Sequence, residues 1–132
     1  MVADQALLQE ALAAREMAYV PYSRFAVGAA VLTDKDHVHK GCNIENASYG
    51  LTNCAERTAL FKAVSEGGTK IKAIAVAADT AGPTAPCGAC RQVLAEFLPA
   101  DGKIILGNVK GDIHVTTMIE LLPGAFTAED MK

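Results

Sequence analysis

No stretch of this sequence concentrates positive charge. Its 12 Lys and Arg residues are outnumbered by 15 Asp and Glu, giving a formal net charge of −3, with both signs scattered along the chain. A polyanion such as duplex DNA or RNA finds no basic cluster to grip. A single nucleoside, recognised through shape and a few hydrogen bonds, stays open. Missing too is an apolar run long enough to cross a bilayer. The opening Met1-Val2-Ala3-Asp4-Gln5 lacks the basic segment and apolar run of a secretory leader, so a cytoplasmic protein is expected. Repeats, linkers and low-complexity segments are absent as well, and residues 1–132 are read as one domain. Cysteines number only four, and in a reducing compartment they read as metal ligands, catalytic groups or core filler rather than disulfides.

What the chain has in plenty is apolar side chains, 51% of its residues. A chain of this size cannot easily hide so many in one core, because surface fraction rises as size falls. A buried face shared between copies resolves the excess, so composition points to a homo-oligomer.

Residues 4–20 carry Leu7, Leu8, Ala11, Leu12 and Ala18 at helical spacing, with Asp4 as N-cap and Pro21 as the stop. Ala26 to Thr33 and His37 to Asn43 flank a polar turn and predict a hairpin. Cys54 to Glu66 has helical character and stops at Gly67-Gly68. Ile71 to Ala78 predicts a strand buried on both faces, and Gly88 to Phe97 a helix closed by Pro99. Two more strands, Lys103 to Asn108 and Asp112 to Thr116, and a short helix, Met118 to Leu122, follow. The order is that of an α/β fold, a mixed sheet of about five strands with helices packed on it.

Two segments carry the chemistry: Cys54-Ala55-Glu56-Arg57 and Pro86-Cys87-Gly88-Ala89-Cys90. Alone, the second is a redox pair, half of a structural zinc site or a coincidence. A structural zinc site usually takes four protein ligands, and the fourth here would have to be Cys42 or a histidine. Strand alternation counts against Cys42: if Asn43 and Glu45 face the site, Cys42 and Ile44 face away, and Cys42 reads as a small buried hydrophobe. His37 and His39 sit beside a polar turn and read as exposed hairpin positions; His114 has no ligand spacing. Three thiolates with an open fourth position make a catalytic zinc site. Both ligand segments lie at helix starts, where the dipole favours thiolate. Arg57 can draw charge off a net-anionic centre, and Glu56 is placed to move a proton without being a ligand. A surface salt bridge for Arg57 and a helix-start acid for Glu56 are the plainer alternatives.

These segments resemble the small tetrameric zinc-dependent cytidine deaminases. So do Pro21-Tyr22-Ser23-Arg24-Phe25, the run from Gly41 to Tyr49, Arg91-Gln92, and Leu121-Leu122-Pro123-Gly124-Ala125-Phe126. The resemblance implies a three-layer α/β/α fold with one Zn²⁺ per subunit on Cys54, Cys87 and Cys90. It implies hydrolysis of cytidine and 2′-deoxycytidine to uridine and 2′-deoxyuridine plus ammonia, in pyrimidine salvage, by zinc-bound hydroxide attack on C4 with Glu56 shuttling protons. Phe25, Asn43, Glu45 and the Ala55 amide are the implied substrate contacts. Ala47, Tyr49 and Phe126 would reach into neighbouring subunits of a tetramer. The turn Asp34-Lys35-Asp36-His37 lacks the Asp-Gly pair many members carry, away from the ligands.

Two other readings remain. A deaminase of cytosine-containing antibiotics such as blasticidin S shares the metal motifs, although Asn43-Ile44-Glu45-Asn46 and Phe126 favour the nucleoside. A non-catalytic, zinc-stabilised binding module would close its metal with a fourth ligand and have no use for Glu56. An editing deaminase acting on polynucleotides is disfavoured by the missing basic channel.

Overall fold

A run of small and β-branched residues, Ile71–Ala78, forms the central strand β3, buried along nearly its whole length. Around it a five-stranded sheet assembles from β1 (Val27–Thr33), β2 (Val38–Cys42), β4 (Lys103–Asn108) and β5 (Ile113–Thr117) in the order β2-β1-β3-β4-β5. β1 runs antiparallel to both β2 and β3, β3 and β4 are parallel, and β5 returns antiparallel to β4. The computed structural model describes residues 2–131; Met1, part of the opening read above as leaderless, lies outside them.

Alternation along β3 divides the core into two layers. Ala73, Ala75 and Ala77 pack with Leu7, Leu8 and Ala11 of helix α1 (Asp4–Arg15). Ile74 and Val76 face the other way, against Leu60 and Ala63 of α2 (Ala55–Ser65) and Leu94 of α3 (Gly88–Phe97). A fully buried Leu or Ile stabilises the fold by about 1.5–3 kcal/mol, so these layers supply much of its cohesion. Two glycines let the helices come close. A Cβ at Gly28 would lie 1.9 Å from the Ala11 carbonyl oxygen of α1, and one at Gly41 would lie 2.3 Å from the Ala59 nitrogen of α2. The outcome is the expected three-layer α/β/α arrangement with a five-stranded mixed sheet.

The first helix departs from expectation at both ends. Ala3 holds the N-cap position without a side-chain bond, and Asp4 is instead a first-turn acid paired with Lys103 Nζ at 3.0 Å. The helix stops at Arg15, well before Pro21, because Tyr19 is drawn into extended pairing: its amide donates to Asn43 O and its carbonyl accepts from the Glu45 amide. A short 3-10 turn, Tyr49–Leu51, and another, Ala128–Met131, were not foreseen. The final helix α4 spans Met118–Leu121. Among the described residues no helix is long and apolar enough to cross a membrane.

Register places the functional end of the sheet. Val27 opens β1 opposite Ala78, which closes β3, and Gly28 opposes Cys42, which closes β2. The carboxyl ends of β2, β3 and β4 therefore meet at one edge, the position from which an open α/β sheet presents its loops to ligands.

Candidate functional site

Cys54 and Cys87 are the N-cap residues of α2 and α3, and Cys90 lies in the first turn of α3. The two caps use their carbonyls to start the helices, accepting from the Thr58 and Arg91 amides at 3.0 Å each. Neither cap side chain is spent on capping the amides of its own helix, so both sulfurs are free to face each other. The Cys54 and Cys87 sulfurs lie 4.0 Å apart, and all three lie within 4.8 Å of one another. Ligands about 2.3 Å from a tetrahedral zinc are separated by roughly 3.8 Å, so the trio needs only a slight contraction to hold the ion.

Charge in the cluster is unevenly shared. The neighbouring Cys90 thiol pulls the Cys54 thiol down to about 5, helped by the Arg57 guanidinium. Cys90 itself, buried and beside the Cys54 sulfur, is pushed upward. Arg57 donates from Nη2 to Cys54 Sγ at 3.3 Å, while its Nε is buried without a partner. A metal bound by three thiolates would be net anionic, and this half-satisfied cation is the group that would balance it. Donor set, spacing and counter-charge all fit zinc.

Glu56 follows Cys54 directly in the first turn of α2, only 5% exposed. Burial raises its carboxyl above the ordinary range, reinforced by the charge on Cys54. It lines a pocket of about 210 Å³ together with Cys54, Ala55 and Cys87. Phe25 and Asn43 belong to the same wall, as do Thr52, Thr84 and Ala85, which the sequence reading did not single out. Thr84 and Ala85 sit just before Pro86-Cys87, and Thr52 just before Cys54; closeness to a ligand was the one signal that could have found them.

Glu45 lines an adjoining cavity of about 400 Å³ with Tyr22, Ser23, Tyr49 and Thr52, so Thr52 borders both hollows. The backbone amides of Tyr22 and Ser23 and the Ser23 hydroxyl all donate to the Glu45 carboxylate, and the Ser23 hydroxyl holds that carboxyl below its usual range. Asn43 is stitched to the same loop, accepting from the Val27 amide at 2.9 Å and donating to Phe25 O at 2.7 Å. Ala47, Tyr49 and Phe126 are exposed, Tyr49 74% and Phe126 61% accessible, with Tyr49 bordering the Glu45 hollow from the surface. The Phe126 carbonyl accepts from Gln92 Nε2 at 2.8 Å, which ties the C-terminal segment to α3.

The remaining candidates separate from the cluster. Cys42 opposes Gly28, whose side faces α1, so its thiol lies on the far side of the sheet from α2 and α3; it is half-buried rather than fully packed away. His39 is half-buried and paired with Glu66 at 3.0 Å, whereas His37 and His114 are exposed. A larger cavity, about 540 Å³, lies between the hairpin turn and the end of α2, but no three metal-ligand atoms converge there among the described residues.

Comparison with known proteins agrees with this geometry. Residues 1–107 match the cytidine and deoxycytidylate deaminase zinc-binding region. The chain is 68% identical over 127 residues to a cytidine deaminase of Halalkalibacterium halodurans, covering 96% of each chain. It is 59% identical over 125 residues to one from Sporosarcina psychrophila, covering 95% of this chain and 92% of the relative. A crystal structure of cytidine deaminase from Burkholderia pseudomallei superposes with a TM-score of 0.92 at 54% identity, over 95% of this chain and all of the other.

Proposed function

The chain belongs to the cytidine and deoxycytidylate deaminase family, and on that premise we propose how it works as a zinc-dependent hydrolase that converts cytidine and 2′-deoxycytidine to uridine and 2′-deoxyuridine with release of ammonia. The observation that carries this reading is one pocket lined by Cys54, Cys87 and the buried Glu56, with Cys90 completing the trio of thiols. Cys54, Cys87 and Cys90 hold the zinc. When bound there, the ion supplies the Lewis acidity that makes water a nucleophile at neutral pH.

Glu56 does the proton work. Its carboxylate takes a proton from the attacking water, delivers it to N3 of the ring, and carries another to the amine leaving C4. A carboxyl raised by burial suits this, because it must hold a proton as well as accept one. Arg57 offsets the excess charge of the thiolates through Cys54. Phe25 walls the base, the Ala55 amide meets the pyrimidine carbonyl, and Asn43 and Glu45 bond the 3′-hydroxyl of the sugar, which cytidine and 2′-deoxycytidine share. Two adjoining hollows that share Thr52 suit a base and a sugar side by side.

The site is completed by other copies of the chain in a homo-oligomer, a tetramer by family likeness. Ala47, Tyr49 and Phe126 are the residues lent across. Their exposure here, with Leu51 71% and Ile119 57% accessible, supports a shared apolar interface. Cysteines used as metal ligands rather than as disulfides fit a reducing, cytoplasmic setting.

The test follows cytidine by ultraviolet absorbance and ammonia by a coupled assay, with zinc-loaded wild type and Glu56→Gln. Ammonia release by wild type and its loss in the variant are expected. A zinc-loaded protein that releases none points to the binding module, and a variant at wild-type rate overturns the assignment of the proton work to Glu56. Preferential turnover of blasticidin S points to the antibiotic deaminase.

A further inference from the structure

The Glu45 carboxylate is already heavily committed. Its Oε1 accepts from the Tyr22 amide at 3.0 Å and the Ser23 amide at 3.1 Å, and its Oε2 accepts from the Ser23 hydroxyl. An ionised carboxylate offers about four lone-pair positions. Three are occupied, which leaves a single acceptor position, on Oε2. The Ser23 oxygen accepts in turn from the Phe25 amide at 3.0 Å. Between them Arg24 adopts φ 59°, a left-handed conformation that a non-glycine residue keeps only where its surroundings hold it. Ser23 therefore decides which lone pair of Glu45 stays open, and where it points.

We propose that Ser23 is a positioning residue for sugar recognition, holding Glu45 so that it can accept one hydroxyl of the substrate and not two. A carboxylate with both oxygens open can take the two vicinal hydroxyls of a ribose together and would favour cytidine over 2′-deoxycytidine. One with a single open position gains nothing from the second hydroxyl, and the two nucleosides become equivalent at this contact. The inference rests on the reading of Glu45 as a sugar contact. It adds what that reading leaves open, namely why one hydroxyl suffices.

The test compares kcat and KM for cytidine, 2′-deoxycytidine and 3′-deoxycytidine in wild type, Ser23→Ala and Ser23→Thr, with zinc content measured in each. Wild type is expected to discriminate against 3′-deoxycytidine and little between the other two. Ser23→Ala should raise KM for both good substrates by about tenfold, the scale of a lost charged hydrogen bond. It should do so with kcat and zinc largely kept, a smaller penalty for the missing 3′-hydroxyl and a shift in favour of cytidine; Ser23→Thr should restore wild-type behaviour. A Ser23→Ala variant that keeps the wild-type KM values and the full 3′-hydroxyl penalty overturns the inference. So does a variant that loses kcat and zinc together, which marks a merely structural role. If wild type itself ignores the 3′-hydroxyl, the reading of Glu45 falls first and takes the inference with it.

Discussion

Arg57 lies three residues along α2 from Cys54 and donates to its sulfur at 3.3 Å, so the helix that provides a metal ligand also provides that ligand's counter-charge. Removing such a partner typically costs 10–100-fold in activity or metal affinity, by about one or two orders of magnitude. Arg57→Ala should therefore slow deamination by roughly that factor while zinc largely stays, since the three sulfurs remain. Steady-state kinetics beside metal analysis checks it. Unchanged kinetics would remove Arg57 from the catalytic apparatus.

Glu56 offers a pH test in the metal-free protein. Its carboxyl is raised by burial above the ordinary value of 4.5. For a group shifted in this direction, the stability it contributes is present below the unfolded pKa and is lost as pH rises through the folded one. Metal-free Glu56→Gln should then melt higher than metal-free wild type at neutral pH, with the gap closing in acid. Thermal unfolding across that range decides the matter; a gap that does not narrow on acidification contradicts the assignment. In the zinc-loaded enzyme the same substitution should cost about 10²–10⁴-fold in turnover.

Gly41 and Gly28 form a natural pair of controls. An added methyl at either meets helix backbone, and overpacking of this kind costs about 1–3 kcal/mol. The two helices differ, however: Gly41 sits under α2, which begins at Cys54 and carries Glu56, whereas Gly28 sits under α1, which carries no site residue. Gly41→Ala should lose kcat beyond what its stability loss explains. Gly28→Ala should be destabilised with near-normal kcat at low temperature. Equal kinetic damage in both would show that helix placement is not what matters.

Asn108, fully buried at the end of β4, has every polar position filled. Its Nδ2 donates to Thr80 O at 2.9 Å and Asp112 Oδ2 at 2.8 Å, and its Oδ1 accepts from the Lys110 and Asp112 amides at 3.0 Å each. It thereby joins the β4–β5 turn to the loop that brings Thr84 and Cys87 to the pocket. Asn108→Ala strands these partners at a cost of about 1–3 kcal/mol. Chemical denaturation should show that loss, with hydrogen exchange rising first at residues 79–87. Exchange that rises evenly over the whole chain would deny the link.

How much of this was legible in the residues follows from what each segment depends on. Ile71–Ala78 and Gly88–Phe97 appear where periodicity and their flanking Gly and Pro residues put them, because their neighbours in sequence and their burial agree. The end of α1 was not legible: its stop depends on Tyr19 pairing with Asn43 and Glu45, more than twenty positions away. Within the site, Cys54, Glu56, Cys87 and Cys90 could be read from spacing, since each pair lies on one helix start. Thr52 and Thr84 were not singled out, as only their closeness to the ligand cysteines distinguishes a pocket-lining threonine from a solvated one. The two hollows and the Ser23–Glu45 bonds also escaped, being products of a loop folding against a distant strand end.

Cys54 heads one helix and Cys87 and Cys90 head another, with a sequence separation of 33 between the first two. An ion held between them is therefore a clasp on a long chain loop that also encloses β3. Closing a loop of that length in advance removes freedom mostly from the unfolded chain, and binding free energy at such a site is folding free energy. Gathering the reagent and tightening the fold are thus coupled: a chain that has gathered its metal has also fastened two helices and the strand between them in their final places.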